Sequence, residues 1–515
     1  MIEKGSVSPQ RVTRLCYFVL GAFAIFLVVS FVLGDSIAPA GRRLSKVAGV
    51  DPPAYFGVSH ALLFHGNFDL SEEYRRVPPD TNPWTAIRKD TGHPGSTYGI
   101  GYSVLAAPFL GAGTLVDALV GNPADGYSKF AILGYCLANV IMTGLGLMAL
   151  FAFTRDVAGF WGTPPKSAAL YALFTTIATF FGTNVGYYAF SPMSHAATFF
   201  CISLLLAYWW RIRERTDVPS WALLGLIGGL LSVTRWQDIL FLSAPILSDL
   251  LSRKAWSIPW IRSRMIYCAV VMVCWVPQMI EWKYMYGKFV TNPQGAGFFV
   301  FPPRFALNVL FSTRNGWIMW TPLVLLGLIG LILGVRRAPR LWLPWMVVIA
   351  LEIGLIGSIP LSWHGGQSFS SRFLTSSAPL IAVGLVTLLC HTTRNVRLLV
   401  MGTVLACCLF TVASAIQVRL DLIPVSDRLT TSEYFTDKFR ILKVRQRKLI
   451  VQKARILLSR GSAPAAVAAL EAAEDYGPDR DVLAELSKAY RASGRESDAQ
   501  NADRRLTMLM TSRLF

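Results

Sequence analysis

Long apolar segments alternate with short polar loops along most of the chain. Each segment could form a helix that crosses all or most of a hydrocarbon layer about 30 Å thick. We count twelve of them, at 15–34, 98–118, 128–153, 168–188, 194–210, 219–234, 236–251, 265–285, 315–335, 341–361, 373–390 and 397–417. The pattern predicts an all-α polytopic membrane protein.

Two long polar stretches interrupt this pattern and define the predicted domains. Residues 1–417 form a transmembrane domain, within which 35–97 is one large loop outside the membrane. Residues 418–515 form a soluble helical tail. The first apolar segment is too long for the core of an ordinary signal peptide, and we interpret it as an uncleaved membrane helix.

Composition supports a membrane protein and excludes several other classes. Of 515 residues, 53% are hydrophobic and 15% are charged, whereas soluble domains carry about 25% charged residues. A soluble enzyme and a secreted disulfide scaffold are therefore excluded. The formal net charge of +19 is typical of nucleic-acid-binding proteins. Here, however, the basic residues flank apolar segments, so we predict no nucleic-acid partner.

The distribution of Lys and Arg predicts the orientation of the second half of the chain. Alternate loops after residue 210 carry 12 basic residues in one set and 5 in the other, and the richer set should be cytoplasmic. With a cytoplasmic N-terminus, the tail is periplasmic only if the number of crossings is odd, 11 or 13. The glycine-rich segment 98–118 is the candidate for a re-entrant segment. The nine basic residues of 438–460 favour the alternative of a cytoplasmic tail.

The tail contains a short internal repeat. Gly461 and Gly494 both follow helix-forming sequence, and a small-residue helix is predicted after each. A helix–turn–helix unit with a period of 33 to 34 residues resembles the tetratricopeptide repeat. An ordinary helical hairpin is the alternative. Fewer than two repeats are marginal alone, so the tail could pack on the membrane domain or bind a protein partner.

The large loop begins with an acidic residue in an informative place. Asp51 precedes Pro52-Pro53 and an amphipathic stretch, Tyr55 to Phe64. A carboxylate held there at the membrane surface could take a proton from an attacking hydroxyl or amine while a glycosyl–phosphate bond opens. The alternative is structural, because Asp before Pro-Pro is a good N-cap for a helix over 53–64.

Several motifs in the same order resemble the GT-C superfamily of polyprenyl-phosphate-dependent glycosyltransferases. The nearer branches are the protein O-mannosyltransferases and the lipid A aminoarabinose transferases, and the resemblance covers residues 10–415. It rests on Asp51 with Tyr55, Gly66 to Leu70, His93 to Phe109, Gly225 to Arg235, Phe311 to Pro322, Trp363 to Gly366 and Ser371 to Phe373. It implies a GT-C-like bundle of about 11–13 transmembrane helices.

The resemblance also implies roles for individual residues. Asp51 falls on the catalytic acid of the family. Cations on the outer side would bind the donor phosphate, namely Arg235, Arg372 and Lys288. Contacts to acceptor or sugar are expected from Tyr55, Glu72, Glu73, His93, Tyr98, Trp363 and His364. Two alternatives stay open: Arg235 could instead pair with Asp238, and a solvated loop face could explain Glu72 and Glu73.

We predict no metal site from the ligand spacing. His60 and His65 are separated by four residues, which on an ordinary α-helix turns the two rings off a common face. A divalent cation nevertheless stays open as a cofactor. The chain departs here from many members of the family, which carry two adjacent acids where it has Asp51-Pro52.

Together these features predict a membrane glycosyltransferase. It would move a sugar, with inversion, from a polyprenyl-monophosphate donor to a lipid, glycan or protein acceptor at the outer face of the bacterial cytoplasmic membrane. The rival class is a non-enzymatic transporter or cell-envelope assembly protein whose tail recruits partners. Transporters often show inverted repeats, whereas here the ionisable residues cluster on one side of the membrane.

Overall fold

The computed structural model of the protein is all-helical over the residues it describes, without a β-strand among them. Those residues are 8–37, 47–79, 85–252, 257–420, 422–423, 429–430, 434–435, 441–474 and 479–511.

The membrane domain contains seventeen α-helices within the described ranges. They are α1 (Pro9–Ile37), α2 (Pro52–His60), α3 (Ser71–Arg76), α4 (Ile100–Leu119), α5 (Lys129–Phe160), α6 (Pro165–Gly182), α7 (Val185–Tyr188), α8 (Ser194–Ile212), α9 (Val218–Thr234), α10 (Ser243–Leu251), α11 (Ile258–Tyr286), α12 (Ala306–Phe311), α13 (Trp317–Trp320), α14 (Leu323–Arg337), α15 (Pro339–Gly357), α16 (Ala378–His391) and α17 (Arg394–Arg419). A π-helical turn, Ala61–His65, continues α2, and two 3₁₀ segments, Trp236–Leu242 and Arg372–Ser377, precede α10 and α16.

Eight helical segments in the described part of the chain are long and apolar enough to cross a membrane. They are Pro9–Asp35, Ile100–Leu119, Lys129–Phe160, Ser194–Ile212, Ile258–Tyr286, Pro339–Gly357, Arg372–His391 and Arg394–Arg419. By length and composition the protein is therefore an all-α multi-pass membrane protein, as the sequence predicts.

The remaining predicted segments are shorter or divided, so the number of 11 to 13 crossings stays a prediction. Segment 168–188 is split between α6 and α7, and 315–335 is split between α13 and α14. Segment 236–251 is a 3₁₀ turn followed by the short α10. Thr321-Pro322 explains one of these breaks, because the residue before a proline disfavours helical geometry.

Segment 98–118, the candidate for a re-entrant segment, forms the continuous helix α4 despite the internal Pro108. Its glycines serve close packing. A Cβ atom at Gly101 would lie 2.4 Å from Oγ1 of Thr234, and one at Gly113 would lie 2.1 Å from the carbonyl oxygen of Phe130. Small residues at membrane helix interfaces allow this close approach of backbones.

Helices α14 and α16 meet through glycines on both sides. A Cβ atom at Gly330 would lie 1.9 Å from the carbonyl oxygen of Gly384, and one at Gly384 would lie 1.8 Å from that of Gly327. The backbones are thus in contact, with no room for a methyl group on either helix. The α14–α16 contact fixes α16, the helix that directly follows the Arg372–Ser377 turn.

We expect Gly384→Ala to destabilise the membrane domain by about 1–3 kcal/mol, the usual range for an overpacked core. The added methyl group must push α16 away from α14. Gly402→Ala on α17 is the matched control, because a Cβ atom there meets nothing within 4 Å. Melting temperatures of both variants in detergent check the prediction; equal melting temperatures would contradict it.

Among its described residues, the tail contains four helices that share an apolar core. These helices are α18 (Ile441–Ser459), α19 (Ala463–Glu474), α20 (Arg480–Ala492) and α21 (Glu496–Thr511). The turns at Gly461 and Gly494 are alike: each glycine has φ +75°. The next residue donates its N–H five residues back, from Ser462 to Leu457 at 2.9 Å and from Arg495 to Tyr490 at 2.8 Å. The predicted 33-residue spacing therefore joins two turns of the same geometry.

Candidate functional site

A cavity of about 420 Å³ lies where the first loop meets the ends of several membrane helices. Its polar wall comes from the start of α2, the segment before α4, the start of α8, the end of α9, the loop after α11 and the start of the Arg372–Ser377 turn. The polar and charged residues lining it include Asp51, Tyr55, Tyr98, Ser194, His195, Arg235, Gln237, Asn292, Gln294 and Arg372. The apolar wall includes Ile239, Leu240, Phe298, Phe299, Leu355, Ile356, Ile359 and Phe373.

Asp51 is directed into this cavity and is 9% exposed. It occupies the N-cap position of α2, but its side chain makes no capping hydrogen bond. Its Oδ2 instead accepts from Nη1 of Arg372 at 2.6 Å, and its Oδ1 accepts from the Tyr98 hydroxyl at 2.5 Å. The structural alternative, a capping carboxylate, therefore does not describe this residue.

Close backbone packing between the first loop and α9 brings these groups together. A Cβ atom at Gly99 would lie 2.2 Å from the carbonyl oxygen of Val233. Only glycine lets the chain pass so near the end of α9, and this contact places Tyr98 beside the loop that carries Arg235. The glycines around α4 thus position the site.

Arg372 begins a 3₁₀ turn that leads into α16. Its side chain is 17% exposed and Nη1 makes the ion pair with Asp51. Nε is buried with no hydrogen-bond partner among the described residues. Gly365, at φ +74°, lies against the same side chain, where a Cβ atom would come within 3.2 Å of Nε. A guanidinium with spare N–H groups at a cavity wall is suited to bind an anion.

Arg235 follows α9 directly, and its Nη1 contacts His195 and the backbone of Arg372. It donates to Nδ1 of His195 at 3.0 Å and to the carbonyl oxygen of Arg372 at 3.0 Å. Because a guanidinium can only donate, Nδ1 of His195 must be the unprotonated nitrogen. In the described part of the chain, neither carboxylate oxygen of Asp238 accepts a hydrogen bond from Arg235. The Arg235 and Asp238 side chains therefore form no hydrogen bond and interact only through their charges.

Two tyrosines beside Asp51 remain protonated at neutral pH. Burial raises the pKa of Tyr55 to about 12, and burial raises the pKa of Tyr98 well above its usual value, with the nearby Asp51 charge acting in the same direction. Tyr98 is therefore the donor in its bond to Asp51. The Tyr55 hydroxyl lies 2.9 Å from Oγ of Ser194, which joins the first loop to the start of α8.

Of the predicted site residues, five line the cavity: Asp51, Tyr55, Tyr98, Arg235 and Arg372. The other six do not: Lys288, Glu72, Glu73, His93, Trp363 and His364.

Each of those six has a different environment. Lys288 is exposed. His93 stacks on Tyr284 with ring centroids 4.2 Å apart, and Trp363 stacks on Phe305 at 5.8 Å. Burial, with a contribution from Arg314, lowers the pKa of His364 to about 4. His364 is therefore neutral at physiological pH and does not offer a positive charge to a phosphate.

Glu72 and Glu73 lie in a second cluster, in the first loop. Glu72 is half-exposed and pairs with Arg76 at 3.3 Å. Glu73 is buried and lies 3.0 Å from His60 and 3.5 Å from His65. The expectation that His60 and His65 point off a common face is wrong, because Ala61–His65 is a π-helical turn. In a π-helix the hydrogen bonds join residues five apart, which brings such residues onto one face.

His195 and residues 291–299 are site components that the motifs did not assign. His195 lies at the start of α8 and is buried. Thr291, Asn292, Gln294, Phe298 and Phe299 cover the cavity from the loop after α11. The sequence signal for this loop is a polar stretch with glycines between two apolar segments. That pattern does not show which other parts of the chain the loop covers.

The arrangement joins one carboxylate, two guanidinium groups and an apolar wall in a single cavity. The carboxylate can accept a proton, and the guanidinium groups can bind a phosphate. The apolar wall can bury part of a hydrocarbon chain. No protein-family model and no curated protein matches the sequence.

Proposed function

We propose that the protein is a glycosyltransferase of the GT-C type that uses a polyprenyl-monophosphate sugar as donor. The observation that carries the proposal is the contact of Asp51 with Arg372, which are 321 residues apart in the chain and meet in the cavity at 2.6 Å. It pairs a proton acceptor with a phosphate-binding group at the position where a lipid-borne donor would be cleaved.

In the proposed reaction, Asp51 takes the proton of the acceptor hydroxyl or amine. The acceptor forms a new bond to the anomeric carbon of the sugar, and the bond from that carbon to the phosphate oxygen breaks with inversion. Arg372 and Arg235 stabilise the negative charge on the departing polyprenyl phosphate, and such electrostatic stabilisation is usually the largest catalytic contribution. A donor phosphate that engages Arg372 would also release the Asp51 carboxylate from its ion pair.

The cavity walls support a donor with a lipid tail. Ile239, Leu240, Leu355, Ile356 and Ile359 all contribute apolar surface next to the two arginines. Three of these residues belong to α15 or follow directly after it, and α15 is one of the candidate membrane spans. An isoprenoid chain entering from the bilayer would therefore reach the arginines along an apolar path.

The direct test is release of polyprenyl phosphate by the purified full-length protein. The protein is incubated in detergent with a panel of isotope-labelled polyprenyl-phosphate sugars and a cell-envelope extract that keeps its lipids, as the source of acceptor. We expect free polyprenyl phosphate to appear in mass spectra with at least one donor. No release from any donor, by protein that retains its melting temperature, would reject the proposal.

We further propose that the site and the tail face the outside of a bacterial cytoplasmic membrane, with the N-terminus inside. In a cysteine-free background, Ala296→Cys in the loop after α11 and Ser497→Cys in the tail place thiols at exposed positions. Both should react with a membrane-impermeant thiol reagent in intact spheroplasts. Reaction of either variant only after lysis would contradict the assignment for that segment.

A further inference from the structure

We propose that His60, His65 and Glu73 form a binding site for a divalent cation of the zinc class, which fixes the first loop beside the candidate active site. The ligand atoms of these three residues all lie within 4.8 Å of one another. The site lies outside the cavity and is separate from the proposed transfer reaction.

The distances between the ligand atoms suit a tetrahedral metal. Nδ1 of His60 lies 3.0 Å from Oε1 of Glu73, and Nε2 of His65 lies 3.5 Å from the same oxygen. Zinc bonds of about 2.0–2.1 Å place neighbouring tetrahedral ligands about 3.3 Å apart. A cation between the three groups would therefore need only small side-chain movements.

The orientation of the His60 ring shows which nitrogen is available. Nε2 lies 2.9 Å from the carbonyl oxygen of Asp125, and a carbonyl can only accept, so Nε2 carries the hydrogen. In the neutral ring, Nδ1 then directs a lone pair at the Glu73 carboxylate. Two such acceptors in contact need either a proton or a metal ion between them. A ring N–H donated to a backbone carbonyl is also the usual outer support of a metal-binding histidine.

The hydrogen bonding of Glu73 points independently to a metal ligand role. The residue is 1% exposed, and its Oε2 has no hydrogen-bond partner in the described part of the chain. A buried carboxylate oxygen without a partner is destabilising. A metal held by both oxygens of Glu73 would satisfy it.

The donor set favours zinc over magnesium or calcium. Two imidazoles and a carboxylate suit zinc, whereas magnesium and calcium prefer oxygen ligands alone. His65 is 36% exposed, so its side of the cluster is accessible to a metal and to a water ligand. If Glu73 binds through one oxygen only, Oε2 of Glu72, 3.6 Å from Nε2 of His65, offers a fourth ligand. Arg76 is the nearby cation, and it is already paired with Glu72 and Asp125.

The loop before α5 is shaped to support this cluster. Gly126 has φ +75°, and a Cβ atom there would lie 2.9 Å from Nε2 of His60. The cation would join the end of α2 to α3 and, through His60, to this loop. Because α2 begins directly after Asp51 and carries Tyr55, the metal would stiffen the segment that positions both.

The test measures metal binding by the full-length protein, purified without a histidine tag, stripped with a chelator and titrated with zinc chloride. We expect about one zinc ion per chain and a higher melting temperature with zinc. Cobalt chloride should give the intense visible bands of four-coordinate cobalt. His65→Ala and Glu73→Gln should weaken zinc binding by more than about 100-fold, since even outer-sphere partners are worth 10–100-fold.

His391→Ala, which removes an imidazole from the end of α16, is the matched control and should bind zinc like the wild type. If Glu73→Gln does not fold, His65→Ala is the decisive variant, because the His65 side chain is only half-buried. Absence of zinc binding by the wild type would leave an imidazolium–carboxylate pair at this site and overturn the proposal. Equal zinc affinity in wild type and His65→Ala would do the same.

Discussion

Replacing Asp51 by Asn should abolish sugar transfer while donor binding is kept. Asparagine has the same shape and can still accept the hydrogen bond from Tyr98, but it cannot take a proton from the acceptor. Loss of a general base reduces rates by about 10²- to 10⁴-fold. Because Arg372 would lose the anion that occupies it, the variant should bind polyprenyl phosphate as well as the wild type or more tightly. Release of polyprenyl phosphate and the Kd for this lipid are the two measurements.

Asp69→Asn is the matched control for this substitution. Asp69 belongs to the same loop, but its carboxylate is exposed. It accepts hydrogen bonds from the backbone N–H of Ser71 at 3.0 Å and from the Ser71 hydroxyl at 2.6 Å. It should keep near-wild-type turnover. If Asp51→Asn kept turnover within tenfold of the wild type, Asp51 would not be the base. If it lost donor binding together with turnover, its role would be to hold Arg372 in place.

The membrane domain could be predicted from hydropathy because a helix in lipid must satisfy its own backbone and present apolar side chains. The predicted segment 397–417 corresponds to α17 with small shifts of its ends, and 128–153 corresponds to α5, which continues to Phe160. Hydropathy could not predict the division of 236–251. That segment contains Asp238, which is buried in the protein interior and not exposed to lipid.

The candidate site was only partly predictable, because its members meet by tertiary packing. Charges on the side of the membrane that is predicted to be outer, together with the resemblance to the GT-C superfamily, singled out Asp51, Arg235 and Arg372. The sequence could not show that Tyr98 bonds to Asp51, since that contact depends on how closely Gly99 passes the end of α9.

The histidine cluster shows a different reason for error. The prediction assumed the regular turn of an α-helix between His60 and His65, whereas a single π-helical turn replaces it. Such a turn leaves almost no pattern in a short apolar sequence. Spacing rules for metal ligands therefore fail wherever the local helix type changes.

Replacing Arg372 by Ala should weaken donor binding by roughly 10- to 150-fold. Loss of hydrogen bonds to a charged group costs about 1.5–3 kcal/mol, and each 1.4 kcal/mol corresponds to a factor of ten. Arg372→Lys should recover only part of the affinity, because a single ammonium group cannot reproduce the planar fork of the guanidinium. The Kd for polyprenyl phosphate checks this, with the exposed Arg304→Ala as control.

The ion pair with Asp51 adds a second effect, which a double-mutant cycle separates from the first. In Arg372→Ala the Asp51 carboxylate loses its cation and repels the donor phosphate, so both stability and affinity fall. Adding Asp51→Asn should restore the melting temperature, because no uncompensated charge remains. Affinity for the donor should stay well below that of Asp51→Asn alone, since the phosphate still lacks its guanidinium. If the double variant instead bound polyprenyl phosphate as tightly as Asp51→Asn, Arg372 would be only the counter-ion of Asp51, and the phosphate would be bound by Arg235.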